Sequence, residues 1–237
     1  MRHSRFLLVA LFLALAALLA WQALAMPTGA SFTSNSTDYG PTRSPSSITT
    51  NRSTITTLLL NAIQQDPHWK AYVGNITGTL TLQDAANNTI YDWSGLVAPT
   101  GEVYASTNGS LDFSTVACAA AGTVSTAQTA MNMTGSDPDS IGNTFNSTNH
   151  TATTVAGTLL NGCNMTSLYV NNASQGKNSS ADYQEFLMQD AGSNLVYVAI
   201  INDNKVGYNG QTYDFEMLVA ESHVAAPHTY YFYMELG

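Results

Sequence analysis

The sequence predicts a mainly β fold: an antiparallel β-sandwich with a short N-terminal helix, preceded by a hydrophobic leader and a disordered stalk. Apolar and polar residues alternate in several short runs, Gly and Asn punctuate those runs, and helical spacing beyond the leader is brief.

The 237-residue chain opens with Arg2 and Arg5, followed by an unbroken apolar run from Phe6 to Trp21. A positive flank before an apolar run is the pattern of an export signal. Ala23, Leu24 and Ala25 make a small-x-small cleavage site, while the 20 residues from Phe6 to Ala25 would span about 30 Å as a helix, the thickness of the hydrocarbon core. Residues 1–26 are therefore a signal peptide or an N-terminal membrane anchor. No cysteine lies in or just after the run, which excludes a lipoprotein anchor.

Beyond that segment only Arg43, Arg52, Lys70, Lys177 and Lys205 are basic, against 16 acidic residues, leaving about −11 on the exported part. No basic patch is available for nucleic acid. Charged residues make up 10% of the chain, well under the usual ~25%, so Asn, Ser and Thr carry the polarity.

Asn-x-Ser/Thr sequons occur at Asn35, Asn51, Asn75, Asn87, Asn108, Asn132, Asn146, Asn149, Asn164, Asn172 and Asn178, which is 11 of the 16 asparagines up to position 178. Chance filling of the third position would give about four. The excess predicts a glycoprotein, and each sequon marks a place that has to face solvent. Cys118 and Cys163 are an even pair in an exported chain and are expected to form one disulfide. With no CxxC and no ladder of histidines, they do not suggest zinc.

Residues 27–54 are rich in Ser, Thr, Asn, Gly and Pro and bury too little apolar surface to fold, so they read as a stalk. Ile55, Leu58, Leu59 and Ile63 have helical spacing, ended by Pro67, and predict the short helix. Residues 55–237 then form one glycosylated β domain with a single sizeable core. Strands are read where Ile76, Gly78, Leu80 and Leu82 alternate with polar residues, in the apolar run Leu195–Ile201, in Tyr213, Phe215, Met217 and Val219, and in the terminal Tyr230–Leu236. Leu82, Gln83, Asp84, Ala85, Asn88, Ile90 and Tyr91 recur as Met188, Gln189, Asp190, Ala191, Asn194, Val196 and Tyr197, at a constant offset of 106. Asp and Asn suit tight hairpin loops, so both stretches read as strand, turn, strand, by duplication or by independent use of one turn.

Residues 78–84, "YDWSGLVAPTGEVYAS" from Tyr91, "DSIGNTFN" from Asp139, "YDFEMLVAE" from Tyr213 and "YYFYMEL" from Tyr230 resemble an uncharacterised family of exported, β-rich archaeal surface proteins. The resemblance covers most of the chain after residue 70. It implies export and an archaeal source; no activity is established for the family, and it transfers no catalytic residue.

Motifs of chemistry are missing: no GxSxG, HExxH, P-loop or strand-linked GxGxxG is present. Asp137, Asp139 and Gly142 fit three positions of a calcium loop, but Ile141 and Thr148 replace two of its ligands. A turn with solvated carboxylates is the better reading, with weak calcium binding as the alternative. His223 and His228 flank Pro227 as ordinary loop histidines, Trp69, Trp93 and the terminal tyrosines read as core or sheet-face residues, and Asp214 and Glu216 are an acidic pair with nothing to place them across a cleft. No catalytic residue, metal site or cofactor is expected. The sequence points to an extracellular, cell-surface structural or adhesive subunit, a coat, filament or spike component. The alternative is a module that binds a glycan or partner protein, and a secreted hydrolase comes last. Partners would be the membrane, through an uncleaved leader, and other copies or surface proteins. Because residues 179–237 lack sequons and end on a strand whose edge could pair with a neighbour, Tyr231, Tyr233 and Glu235 are the candidate contact residues.

Overall fold

A computed structural model of the chain describes residues 26–41, 44–49, 52–60, 63–93, 99–222, 224 and 227–237. Residues 1–25 of the leader, Asn51 and His223 lie outside the described residues. Among the described residues no helix is long and apolar enough to cross a membrane.

In chain order the elements are β1 (Thr28–Gly29), β2 (Trp69–Gly74), β3 (Leu80–Gln83), β4 (Thr89–Trp93), β5 (Gly101–Ser106), β6 (Ala117–Cys118), α1 (Ala121–Ala130), α2 (Ile141–Thr144), β7 (Thr153–Val155), β8 (Thr158–Leu160), β9 (Met165–Ser167), β10 (Gln184–Gln189), β11 (Leu195–Ile200), β12 (Lys205–Val206), β13 (Thr212–Tyr213), β14 (Phe215–Ala220) and β15 (Tyr231–Leu236). The fold is mainly β and its strand pairings are antiparallel.

A seven-stranded sheet runs in the order β1-β15-β5-β11-β10-β6, with β9 beside β6 on the outer edge of β10. Its middle strands are buried on both sides, so side chains that alternate along them enter two different cores. Val103, Ala105, Leu187, Tyr197 and Ala199 pack with Val124 of α1, Ile141 of α2, and Met217 and Val219 of β14. On the opposite face Tyr104, Phe186, Met188, Val196 and Val198 pack with Phe113, Val116, Val155, Leu160 and Met165. The layering thus exceeds a simple sandwich: β14, paired with β2, forms a second layer with the helices, and the β7–β8 hairpin covers the far face. Double coverage is why Leu195–Ile201 reads as a continuous apolar run, whereas β14 shows alternation.

The helix expected over Ile55–Ile63 is not formed in its described residues: residues 54–60 and 63–66 are irregular, and Ile55, Leu59 and Leu60 stand in solvent. Nine residues that include the β-branched Ile55, Thr56 and Thr57 are too few to hold a helix without a surface to pack on. The helix that does form, α1, is held by the sheet. Its N-terminal donors meet Gln189 of β10, whose side-chain oxygen accepts from the Ala120 N–H and from the Thr123 hydroxyl, each at 2.8 Å. Gln128, buried in the same helix, accepts the Gly142 N–H at the start of α2 (2.7 Å). These side chains supply what the weakly amphipathic sequence AGTVSTAQTA lacks.

The stalk expectation also changes at its start. Thr28 and Gly29 pair with Met234 and Tyr233, the Ala30 N–H donates to the Phe232 carbonyl (3.0 Å), and Phe32 meets Phe232 edge-on (5.4 Å). The edge of β15 expected to be open is therefore partly taken by the same chain. The described residues from Phe32 to Thr49 are exposed and irregular.

The internal echo is two hairpins with one turn. In each, the Asp N–H donates to the Asn carbonyl four residues on (Asp84–Asn88, 3.0 Å; Asp190–Asn194, 3.2 Å), and the Asp carboxylate accepts that Asn's backbone N–H and side-chain amide. The residue before the Asn takes a left-handed conformation, Asn87 at φ 65° and Ser193 at φ 60°.

Cys118 and Cys163 are bridged, with Cα atoms 4.9 Å apart. Cys118 pairs with Met188 through β6, Met165 pairs with Phe186 through β9, and the Leu187 N–H donates to the Asn164 carbonyl (2.8 Å). The bridge therefore closes the junction where two short strands lie end to end along one edge. Closing a loop of 45 residues stabilises by about 4 kcal/mol on the chain-entropy model. Peptide mapping without reductant should recover a Cys118–Cys163 pair. The Cys118→Ser/Cys163→Ser variant should lose roughly 4 kcal/mol in denaturant unfolding, and a loss under about 1 kcal/mol would show that the strands hold the edge unaided.

Candidate functional site

The buried carboxylates come first, because a catalytic site would need some of them to converge on open space. Asp214 accepts the Ile76 and Asn204 N–H groups (2.7 and 2.9 Å), and Glu216 accepts the Tyr208 N–H (2.8 Å). Both are buried and spent on loop backbone. Glu102 and Glu235 face each other across β5 and β15, and the Tyr104 hydroxyl lies 3.2 and 3.1 Å from them. The Thr153 hydroxyl donates to Glu102 and the Ala156 N–H to Glu235 (3.1 Å), which fastens the β7–β8 hairpin to the sheet. Burial pushes the Glu102 carboxyl above its ordinary range, and the neighbouring Glu235 adds to this.

Glu185 is fully buried on β10 and accepts the Leu218 N–H (2.8 Å) on the side of β14 away from β2, while its second oxygen has no hydrogen-bond partner among the described residues. Burial raises its pKa well above the ordinary value, only partly opposed by that N–H. His150 is buried and stacked on Phe186, the ring centroids 4.4 Å apart, and it accepts the Cys163 N–H through Nε2 (3.0 Å). A nitrogen that accepts carries no proton, so this imidazole is neutral, and burial lowers its pKa accordingly.

Both Asp137 oxygens are taken by the Thr134 hydroxyl and N–H (2.9 and 2.7 Å), so the calcium-loop spacing does not assemble as one loop. Asp139 turns away and meets His68 at 2.6 Å, a contact across 71 positions that spacing could not disclose. His228 lies 3.4 Å from Glu221. Trp69 donates its indole N–H to the Asp139 carbonyl (2.8 Å) and packs on the core. Trp93, expected in the core or on a sheet face, is 54% exposed.

Of the candidate contact residues, Glu235 is corrected outright: it is buried beneath Tyr104 and Ala156. Tyr233 is half-buried against Phe113 (5.7 Å), and Tyr231 alone is exposed. Among the described sequon asparagines none is buried. Asn35, Asn75, Asn87, Asn132, Asn146, Asn149 and Asn172 are exposed, and Asn108, Asn164 and Asn178 are half-exposed.

The hairpin read from the Asp84 and Asn88 turn is β3–β4, and what sequence reading missed is that its apolar face stands in solvent. Leu82 pairs with Tyr91, and Trp93 lies two residues on, so these three share one face, with Thr81 and Asp92 on the other. Leu82, Ile90, Tyr91 and Trp93 are all more than half exposed, and the Tyr91 and Trp93 rings meet at 4.8 Å. A shallow open depression lined by Leu82, Gln83, Asp84, Asn88, Thr89 and Ile90 runs along it. Its apolar residues were legible; that they pack on nothing was not.

Comparisons with protein-family models, with curated proteins and with solved structures found no match.

The buried acids set a pH dependence. A carboxyl whose pKa is raised on folding binds its proton more tightly in the native state, so its contribution is full below the unfolded value of about 4.3 and is lost as pH rises through the folded value. His150, lowered on folding, works in the opposite direction below about pH 6.5. Comparing parent with Glu185→Gln isolates one group. In thermal unfolding from pH 5 to 8 the parent should lose stability relative to Glu185→Gln as pH rises. Parallel curves would mean that Glu185 does not titrate differently in the two states.

Proposed function

We propose that this protein is an exported surface glycoprotein that serves as a structural or adhesive subunit of a coat, filament or spike, and that it meets its neighbours through the β3–β4 hairpin. One observation carries the reading: the central sheet is covered on both faces, yet Leu82, Ile90, Tyr91 and Trp93 stand together in solvent on a two-stranded hairpin. A clustered apolar surface on a regular element outside a covered core marks a contact site. A hairpin this short gains from being docked, since two strands alone are marginally stable in water.

Other features support the same reading. The disulfide suits an oxidising compartment. The sequon asparagines sit where sugar would be tolerated, and the low charge gives sugar a part in keeping the surface soluble. The leader would deliver the domain to the outside and, if uncleaved, tether it to the membrane. The resemblance to exported archaeal surface proteins agrees with this placement. We assign no catalytic residue, because the buried acids reach backbone donors and hydroxyls of their own chain.

A second reading, a glycan-binding module, draws on the Tyr91–Trp93 ring pair, since exposed aromatic faces also stack on sugars. One variant separates the two. Tyr91→Ser/Trp93→Ser changes exposed positions and should shift folding stability by no more than about 1 kcal/mol. If the hairpin is the contact, the parent purified from its own cells forms polymers visible by negative-stain microscopy, and the variant stays monomeric. A monomeric parent that binds an immobilised glycan through these residues would favour the second reading. Polymers formed equally well by the variant would remove the hairpin from the contact.

A further inference from the structure

We propose that Asp66, His68 and Asp139 form a binding site for a divalent transition-metal ion, of the class of Zn²⁺ or Mn²⁺, that joins the start of β2 to the loop ahead of α2. His68 Nδ1 lies 2.6 Å from an Asp139 oxygen and 3.9 Å from an Asp66 oxygen. One ligand atom from each of the three residues falls within 4.8 Å of the other two. An ion bound tetrahedrally at 2.0–2.2 Å sets its ligand atoms about 3.4 Å apart, so small side-chain rotations would bring all three onto one centre. The set combines one imidazole with two carboxylates in a chain that has few cations, and no Lys or Arg forms an ion pair among the described residues.

The backbone under each ligand is held by bonds that do not involve an ion. The Asp66 carboxylate accepts the His68 backbone N–H through Oδ1 (2.7 Å), closing the turn through Pro67. The His68 carbonyl accepts the Glu221 N–H (2.7 Å), which ties that turn to the end of β14. Across the site the Asp139 carbonyl accepts the Trp69 indole N–H (2.8 Å). The Asn143 amide donates to the Asp137 carbonyl (2.7 Å), and Thr134 clamps the Asp137 carboxylate, so the loop is shaped before it reaches Asp139. Such outer bonds fix the orientation of ligands in metal sites. The side chains of His68 and Asp139 are 12% and 26% exposed, which leaves them sheltered but reachable, and Asp66 at 41% lies on the open side.

The donor set selects the ion. Calcium prefers six to eight oxygen ligands, whereas this site presents an imidazole and has lost Asp137 to Thr134. A mixed imidazole and carboxylate set suits zinc or manganese, with water completing the shell. Bound there, the ion would cross-link two segments about 70 positions apart and stabilise the fold by mass action.

The test uses the full exported protein, stripped with chelator and desalted. Isothermal titration and thermal unfolding are run with ZnCl₂, MnCl₂ and CaCl₂, on the parent and on His68→Gln, Asp139→Asn and the exposed-side variant Asp66→Asn. One equivalent of Zn²⁺ or Mn²⁺, a melting temperature that climbs with the logarithm of its concentration, and loss of both in His68→Gln and Asp66→Asn support the site. Asp66→Asn keeps the test decisive if Asp139→Asn fails to fold. Binding of Ca²⁺ alone, uptake that survives His68→Gln, or no heat and no shift with any of the three ions would overturn it and leave an ordinary His68–Asp139 hydrogen bond.

Discussion

The outer edge of β10 is the constraint on which the rest of the fold depends. No single strand covers it: β6 pairs with Met188 and Gln189, β9 pairs with Gln184 to Phe186, and the Cys118–Cys163 bridge ties the two together at Leu187. Two-residue and three-residue strands contribute few ladder bonds each, so the covalent link makes them act as one edge. The chain between the cysteines then does the covering. It carries α1 and α2 over one face of the sheet and returns through β7 and β8 over the other. A single closed loop thus supplies part of both cores, and its ends are fixed at the place where it crosses from face to face. Tethering those ends lowers the entropy of the unfolded chain and restricts the alternatives open to a loop rich in Thr, Ser and Asn.

A second constraint follows from the scarcity of basic residues. Acidic side chains that reach the interior find no guanidinium or ammonium, and the ion pairs among the described residues are made by His68 and His228 alone. Backbone N–H groups and hydroxyls take their place. Glu185 links β10 to β14, Glu216 and Asp214 hold the loops around β12 and β13, and Glu102 with Glu235 holds the β7–β8 hairpin through Thr153 and Ala156. Burial raises the pKa of Glu185, Glu216 and Glu102, in the direction of the protonated carboxyl, which costs less to bury than an ion.

Much of the fold was legible from short-range pattern. Alternation placed β14 and β15, the unbroken apolar run placed β11, cysteine parity gave the bridge, and the repeated Asp and Asn gave two hairpins. What was not legible depends on partners distant in sequence. Helix α1 has a poor pattern and is fixed by Gln189, 66 positions from Thr123. The leucine-rich segment after Ile55 has a better pattern but finds no surface to pack on. Thr28 and Gly29 join the sheet although nothing in their composition suggests a strand, because the exposed edge of β15 accepts whatever backbone reaches it. His68 and Asp139 belong to stretches that give no sign of each other, so only the packing of β2 against the α2 region could bring them together.

The two echoing hairpins show where local code stops. Asp84 and Asp190 organise the same turn with the same acceptor and donor atoms, and Gln83 pairs with Thr89 as Gln189 pairs with Leu195. Their fates are opposite. In β10 and β11 both faces are apolar, as Phe186 and Leu187 or Tyr197 and Val198 illustrate, and the hairpin becomes the centre of the sheet. In β3 and β4 the face carrying Leu82, Tyr91 and Trp93 is apolar, but Thr81 and Asp92 make the other face polar, and a bulge between Leu82 and Gln83 breaks the register. Such a ribbon is ill suited to a doubly covered sheet, because burying Asp92 there would require a dedicated hydrogen-bond partner. It is built to bury one side only, and within this chain that side is exposed. The turn therefore fixes that a hairpin forms; the polarity of its second face decides whether it enters the core or stays outside it.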